Sequence, residues 1–540
     1  MRGGVSKIVD VDQAVGDVER VLNEQGKDEA LAVVRGMLEA LVRKNSELEL
    51  DRLRLIRKHL GQTSERVSEH QLSLMLEQLA PEERPADAIV PSGDITPIDD
   101  DAETGTAKTK GKHGRKPLPS TLRRLDIEHA VPTDERVCSI CGADKTCIGH
   151  VTSEVLQFKP AEFFVEVHKR EKLACDAHPD EGVVIAEAPA KVIEKGRPGA
   201  SVLARVVVGK YEDHEPLHRM RKMFSRLGID VPVSTLADWV GACATILSPI
   251  ASLIRELVLK GYVLQGDDTG LKVLDDKAPG GAKRGHLWFY VADEVHCAVV
   301  YTPDWTKQGP GLFLAMRRGG YLVADAYKGW DHLYTREQDP LVEAGCWAHG
   351  RRPFVEIAER GEPRAAVMLH HIKKLYEVER DATDARDAPS ERLTRRRERS
   401  KPVIDDIANW CAQIREREPP KSALASAVGY VLNQWDALTR FLDDGALPLD
   451  NTLVERALRG VAQGRKNYLF AGSDEGAIRA ATIYTCMASC KLNGVEPTAW
   501  LADVIAKIQT EQWPHGRLRE LVPDEWRKTA PAHALIAPKR

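Results

Sequence analysis

A carboxylate buried at the end of a strand costs free energy unless something compensates it, and this chain sets two side by side. Tyr262-Val263-Leu264-Gln265-Gly266-Asp267-Asp268-Thr269 reads as a short apolar run ending on paired acids. The runs Leu271 to Leu274 and Gly285 to Val291 follow, giving strand, turn, strand, strand. Where more carboxylates converge, a divalent metal is the usual compensation. Two other acids stand in suitable places. Asp325 closes the apolar run Tyr321-Leu322-Val323-Ala324, and Glu455 falls in a segment that Asp450 can cap as a helix.

The intervening order narrows the fold. Ala298 to Tyr301 adds a strand, Thr306 to Arg317 a helix, and Val342 to Trp347 a strand leading to His349, Arg351 and Arg352. About Phe354 to Leu447 then reads as helical, before Asn451 and Glu455, four apart on one helix face. Antiparallel strands, then helix-linked strands, with acids at strand ends, is the order of a ribonuclease-H-like α/β core. Two strand-end Asp residues and a helix Glu can hold two Mg²⁺ (or Mn²⁺) ions for in-line displacement at phosphorus. Cys346 and His349 read as structural parts of that core rather than as a metal pair.

A chain of 540 residues exceeds one core, so the expected architecture is multidomain α+β. Residues 1–80 form a helical leucine-zipper region: Leu31, Leu38 and Asn45, with Val34, Leu41, Leu48 and Leu55, make an a/d seam. The seam predicts a homodimer or higher oligomer; a single packed amphipathic helix is the alternative. Residues 81–132 lose periodicity and read as a charged linker. Its basic arm (Lys108, Lys110, Lys112, Arg115, Lys116, Arg123, Arg124) suits phosphate contacts or is simply solvated. Residues 133–190 hold Cys138-x-x-Cys141 and Cys175-x-x-His178, ligand pairs for one structural zinc in a zinc-ribbon-like domain, with Cys147 as a substitute ligand and incidental buried thiols as the alternative.

Residues 191–260 read as helical. A basic amphipathic helix from Leu217 to Leu227 carries His218, Arg219, Arg221, Lys222 and Arg226; Gly228 ends it, and Ser234 caps a second helix. That outline is a helix-turn-helix, or any helical hairpin. The core then occupies 261–360 and 448–509, split by a helical insertion over 361–447 and followed by a tail over 510–540. Ten scattered cysteines and no N-terminal apolar leader predict a cytoplasmic, nucleoid-associated protein. The longest apolar stretch, around Gly241 to Ile254, reads as too short to cross a bilayer, so no membrane partner is expected. The net charge of −4 argues weakly against nucleic acid, but it averages over local basic patches.

Several segments together resemble the insertion-sequence 66 group of bacterial DDE transposases. They are Gly266-Asp267-Asp268-Thr269, Ala324 to Trp330, Gly345 to Phe354, Asp450 to Arg459 and Gly464 to Ser473, the last two being long and specific. The resemblance extends to the zipper and zinc ribbon. It implies a ribonuclease-H-like core with the triad Asp267, Asp325 and Glu455. It also implies cleavage and joining of DNA at terminal inverted repeats. Arg456, Arg459, Arg465 and Lys466 are candidate phosphate clamps, and accessory proteins of the same element are possible partners. Two positions depart from the family: Asp268 stands where Glu is usual, and His178 where Cys is usual. A catalytically inactive or repurposed DNA-binding protein, and a ribonuclease-H-like nuclease on other substrates, are the competing readings.

Overall fold

The computed structural model describes residues 198–536 apart from 307, 511–512 and 532–533. It also describes 67, 69–85 and 87, and scattered residues in 18–48 and 163–193. The expected zinc ligands, the basic arm and most of the zipper lie outside the described residues. Of the seam, Leu31, Val34 and Leu48 are described, each helical, with Leu31 and Leu48 exposed.

Two strands, β1 (Lys172–Ala174) and β2 (Val183–Ile185), form an antiparallel ribbon next to the Cys175 position. The main sheet has five strands: β3 (Val263–Leu274), β4 (Ala282–Ala292), β5 (His296–Thr302), β6 (Tyr321–Ala324) and β7 (Val342–Gly345). Their order is β5-β4-β3-β6-β7. The first three are antiparallel neighbours, whereas β6 pairs parallel to β3, and β7 to β6. A sheet buried on both faces needs apolar residues of both parities. Accordingly Leu264 and Leu322 join one core, while their neighbours Val263 and Val323 join another.

The first core is closed by helices α2 (Ala200–Tyr211), α4 (Val233–Lys260), α9 (Thr452–Asn467), α10 (Asp474–Leu492) and α11 (Pro497–Thr510). The second is built from α5 (Trp347–Glu359), α6 (Ala365–Ala385), α7 (Lys401–Arg417) and α8 (Ala423–Asn433). The early helix α1 (Glu69–Glu77) adds Leu72, Leu74, Met75 and Leu76 to it. A Lys373–Glu69 ion pair of 2.7 Å ties α1 to α6.

Three local expectations are corrected. The acids do not end the first strand: β3 runs unbroken through Asp267, Asp268, Thr269 and Gly270. Every one of these pairs with β4, so the ladder holds polar residues that would end an isolated strand. Ser234 does not cap α4, which begins at Val233. Pro232, at φ −56°, already sets the entry, and its carbonyl accepts the Leu236 N–H at 3.1 Å. The apolar stretch around Gly241 belongs to a 28-residue helix, which by length and composition alone could cross a bilayer. Its Leu247, Ile250, Ile254 and Val258 are instead buried in the first core.

The basic helix α3 (Leu217–Arg226) buries only Met220 and Phe224. His218, Arg219, Arg221, Lys222 and Arg226 are all exposed, and Gly228 follows at φ +82°.

Candidate active site

Strand β6 pairs with β3 only from Val263 to Gln265, so β3 runs on past its parallel neighbour. Main-chain pairing on β3 resumes with Ala471, which bonds Lys272 and Leu274 at 2.8 and 2.9 Å. Between these points side chains cover the peptide groups of alternate residues. Asn451 Nδ2 donates to Gly266 O at 3.3 Å. Asp267 Oδ1 accepts from the Asp268 N–H at 2.8 Å, and the Arg465 guanidinium donates to Gly270 O.

These contacts strap α9 along β3. Gln265, almost fully buried, accepts the Val454 N–H at 3.4 Å. Asn451 is wholly buried, and its Oδ1 accepts from Cys346 Sγ at 3.0 Å, which joins the start of α5 to the same point. Asp450 Oδ1 accepts from the Thr452 N–H at 2.9 Å, and its Oδ2 accepts from Tyr376 OH at 2.6 Å. Glu455 is thereby carried in the first turn of α9 to the middle of β3.

Asp267 lies on β3, and Asp325 follows the last residue of β6. Burial, with the Asp268 N–H opposing it and the charges of Asp325, Asp268 and Glu455 adding to it, raises the Asp267 carboxyl to about 7. Asp325 Oδ1 accepts from Trp330 Nε1 at 3.1 Å and from the Tyr327 N–H at 3.3 Å. Trp330 crosses over Gly266 to reach it: a Cβ at Gly266 would stand 3.2 Å from Leu322 and 3.3 Å from Trp330. His349 Nδ1 is buried without a hydrogen bond, 3.7 Å from Glu455 Oε1. Among the described residues, no group of three or more His, Cys, Asp or Glu side chains is arranged to hold a metal ion. The carboxylates are thus charge neighbours, with no cage formed around a common point.

Asp268 is engaged elsewhere. Successive side chains on a strand point to opposite faces. Its Oδ2 lies 2.5 Å from His286 Nδ1, and its Oδ1 accepts from Trp305 Nε1 at 3.1 Å. Trp305 stacks on His286 and on Tyr327, with interplanar angles of 12° and 11°. Sequence reading missed this assembly, because His286 meets Asp268 only through the β3–β4 register that pairs Gly270 with His286. It also missed Gln265, whose one signal was a polar residue inside an apolar run.

The candidate clamps lie along α9. Arg456, Arg459 and Lys466 are exposed, with no ion pair among the described residues, while Arg465 is half-buried against Gly270.

Comparison with known families covers most of the chain. The profile described as "Transposase IS66 family" matches residues 195–479, and the one described as "IS66 C-terminal element" matches 485–523. The "zinc-finger binding domain of transposase IS66" matches 135–177, which holds Cys138, Cys141 and Cys175 and stops one residue before His178. The "Transposase C of IS166 homeodomain" matches 47–127. Uncharacterized protein y4hP of Sinorhizobium fredii is 34% identical over 519 residues, covering 91% of this chain and 90% of its own length. Uncharacterized protein y4qI of the same organism is 34% identical over 436 residues, 78% of each chain.

Proposed function

The chain belongs to the IS66 transposase family, and from that premise we propose that it cuts and joins DNA at the terminal inverted repeats of a bacterial insertion sequence. The catalytic centre is Asp267, Asp325 and Glu455, set in a ribonuclease-H-like core. The strand order supports that core: three antiparallel strands, with two parallel ones added beyond the first. One observation carries the triad. Beside the buried Asp267, the Gly266 peptide receives Asn451, four residues before Glu455, at 3.3 Å and is covered by Trp330, which reaches Asp325 at 3.1 Å.

The donor set suits two Mg²⁺ (or Mn²⁺) ions, since it offers hard carboxylate oxygens and negative charge that raises its own protonation. When bound, such ions ease formation of the attacking oxygen and stabilise the leaving one. Asp267 Oδ2 and Asp325 Oδ2 take no hydrogen bond among the described residues, while Oδ1 of each is anchored, so each carboxylate is oriented with one oxygen to offer.

The reaction is in-line displacement at phosphorus. Water bonds to the phosphorus at the element end and the P–O3′ bond breaks, leaving a 3′-hydroxyl. That hydroxyl then attacks a target phosphorus and displaces its 3′ oxygen. The protein forms no covalent bond to DNA. Arg456, Arg459 and Lys466 meet phosphates along the exposed side of α9, with Arg465 beside them. The cationic face of α3 contributes to end recognition. Cys138, Cys141, Cys175 and His178 hold one structural zinc, and two or more copies, with any accessory proteins, pair the element ends.

The test uses labelled DNA ends flanking this reading frame, with Mg²⁺. Asp267→Asn, Asp325→Asn and Glu455→Gln should each lower strand cleavage by about a thousandfold or more while gel-shift binding persists. Full cleavage by Asp267→Asn, together with its loss in Asp268→Asn, would assign the wrong neighbour.

A further inference from the structure

Lys210, near the end of α2, has its ammonium 4.2 Å from the centre of the Tyr468 ring and meets no carboxylate among the described residues. Burial pushes its pKa down to about 8, with no opposing charge to restore it. It lines a cavity of about 210 Å³ between α2, α4, the β3–β4 pair, the far half of α9 and the start of α10. Arg465 and Arg479 line it too, and among the described residues no Asp or Glu does. Leu271, Tyr468 and Phe470 are among the apolar and aromatic residues that complete the wall. Phe470 is 46% exposed at its mouth. A half-buried ammonium with no carboxylate beside it among the described residues is uncommon, and Arg465, half-buried, and Arg479, exposed at the rim, add to its positive charge. Three cations in an apolar wall therefore call for an anionic group that also carries apolar surface.

We propose that this cavity is a subsite for one nucleotide, its phosphate against Lys210 and Arg479 and its base against Tyr468 and Phe470. At about 210 Å³ the cavity is smaller than the roughly 300 Å³ of a whole-ligand pocket, so it takes at most one nucleotide, part of which stays outside the mouth beside Phe470. Aromatic walls bind bases of any sequence, because every base presents a π face. The position follows from the secondary structure. Leu271 is four residues along β3 from Asp267, about 13 Å at the strand rise. Arg465 is ten residues along α9 from Glu455, about 15 Å at the helix rise. The cavity therefore lies about four base steps from the carboxylates. On the proposed function, on which this choice of ligand rests, the nucleotide comes from the DNA strand that is cut; a free mononucleotide is the other source with the same chemistry.

The probe is 2-aminopurine deoxyriboside 5′-monophosphate, titrated into the full-length protein without metal and followed by fluorescence quenching. The monophosphate should bind, and the matching nucleoside should bind about tenfold more weakly, the effect of losing a charge-assisted contact. Lys210→Met should weaken the monophosphate by about tenfold as well. Arg479→Gln, at an exposed position where folding is not at risk, should do the same. Equal affinity in the parent and both variants, or no quenching at all, overturns the site. Competition separates the sources. Displacement of the probe by element-end DNA supports a DNA nucleotide; continued binding against saturating DNA overturns that source. Asp267→Asn should keep the probe bound, so a failure of the cleavage reading and a failure of the subsite give different results.

Discussion

Arg396 is fully buried among the helices between β7 and α9, and all five of its N–H donors are used. Nε and Nη2 donate to Glu379 at 2.6 and 2.7 Å. Nη1 donates to the carbonyls of Phe441 and Asp444 at 2.8 and 3.0 Å, and Nη2 to that of Leu447 at 2.8 Å. Those carbonyls lie on the segment that returns the chain to α9. Two residues beyond Leu447, the Leu449 carbonyl accepts the Trp347 N–H, and Asp450, Asn451 and Glu455 follow. Arg396→Met breaks a buried ion pair, at about 3–5 kcal/mol. It also orphans the Phe441 and Leu447 carbonyls, at about 1–3 kcal/mol each before relaxation and hydration, while the Asp444 carbonyl keeps the Leu447 N–H at 3.2 Å. Hydration and relaxation of the carbonyls offset much of the second loss, and Arg392, 3.8 Å from Glu379, offsets part of the first, so about 4 kcal/mol is the expected net. The chain has two cores, so one global unfolding energy is poorly defined and a local readout is required. Hydrogen exchange over residues 438–451 should quicken by about a thousandfold in Arg396→Met. End cleavage should fall with it, although every carboxylate of the proposed triad is intact. Adding Glu379→Leu should recover roughly half the loss, because an apolar pair leaves no unpaired charge. Exchange within about threefold of the parent in the single variant would refute the idea that this guanidinium fixes the return segment.

Three further outcomes are expected. Asp267 has a folded pKa of about 7 against an ordinary 3.8, so between those values the folded protein holds a proton that the unfolded chain has lost. Metal-free stability from this group is therefore greatest at low pH and falls until the pH passes about 7. In EDTA, the melting temperature of Asp267→Asn minus that of the parent should rise from pH 5 to pH 8, by on the order of a few kcal/mol at most in stability, and a flat difference would sink the assignment. Elemental analysis of the full chain should find about one zinc, and Cys138→Ser with Cys141→Ser should remove it; zinc unchanged in that variant counts against the ligand set. Leu41→Pro with Leu48→Pro should leave the catalytic core folded but lower paired-end complexes in a gel shift with two end fragments of different size. Unchanged pairing would reduce the heptad to a packed helix.

What could be read from the sequence is local. The apolar run before Asp325 is strand β6, and its last residue directly precedes the acid. The N-cap of α9 is Asn451 rather than Asp450, which stands one residue earlier and accepts the Thr452 N–H at the start of the helix. What could not be read depends on register and packing. Nothing near Asp268 points to His286, eighteen residues on, until β3 and β4 are aligned. Lys210 looks like an ordinary polar residue at the end of an apolar helix, and only the packing of α9 and α10 encloses it. Even the length of β3 was hidden. Its acids and glycines argue for a break, and the Trp288 and Phe289 partners on β4 overrule them.

The pleat also divides the work of two identical neighbours. A strand has a side-chain period of two, so shifting β3 by one residue would exchange Asp267 and Asp268 between faces. Asp268 has spent both oxygens, on His286 and Trp305, whereas Asp267 keeps Oδ2 uncommitted. Trp305 in turn stacks on Tyr327, whose N–H orients Asp325. On the proposed reading, Asp268 is a buttress that steadies the second carboxylate from the far side of the sheet. A buttress needs only that its donors follow the carboxylate, and Trp305, exposed on the surface, can shift with it. The resembling family usually carries Glu at this position, a substitution that a buttress accommodates. A carboxylate that must share an ion with Asp325 and Glu455 has no such latitude, because a longer side chain moves the donor oxygen off the common point.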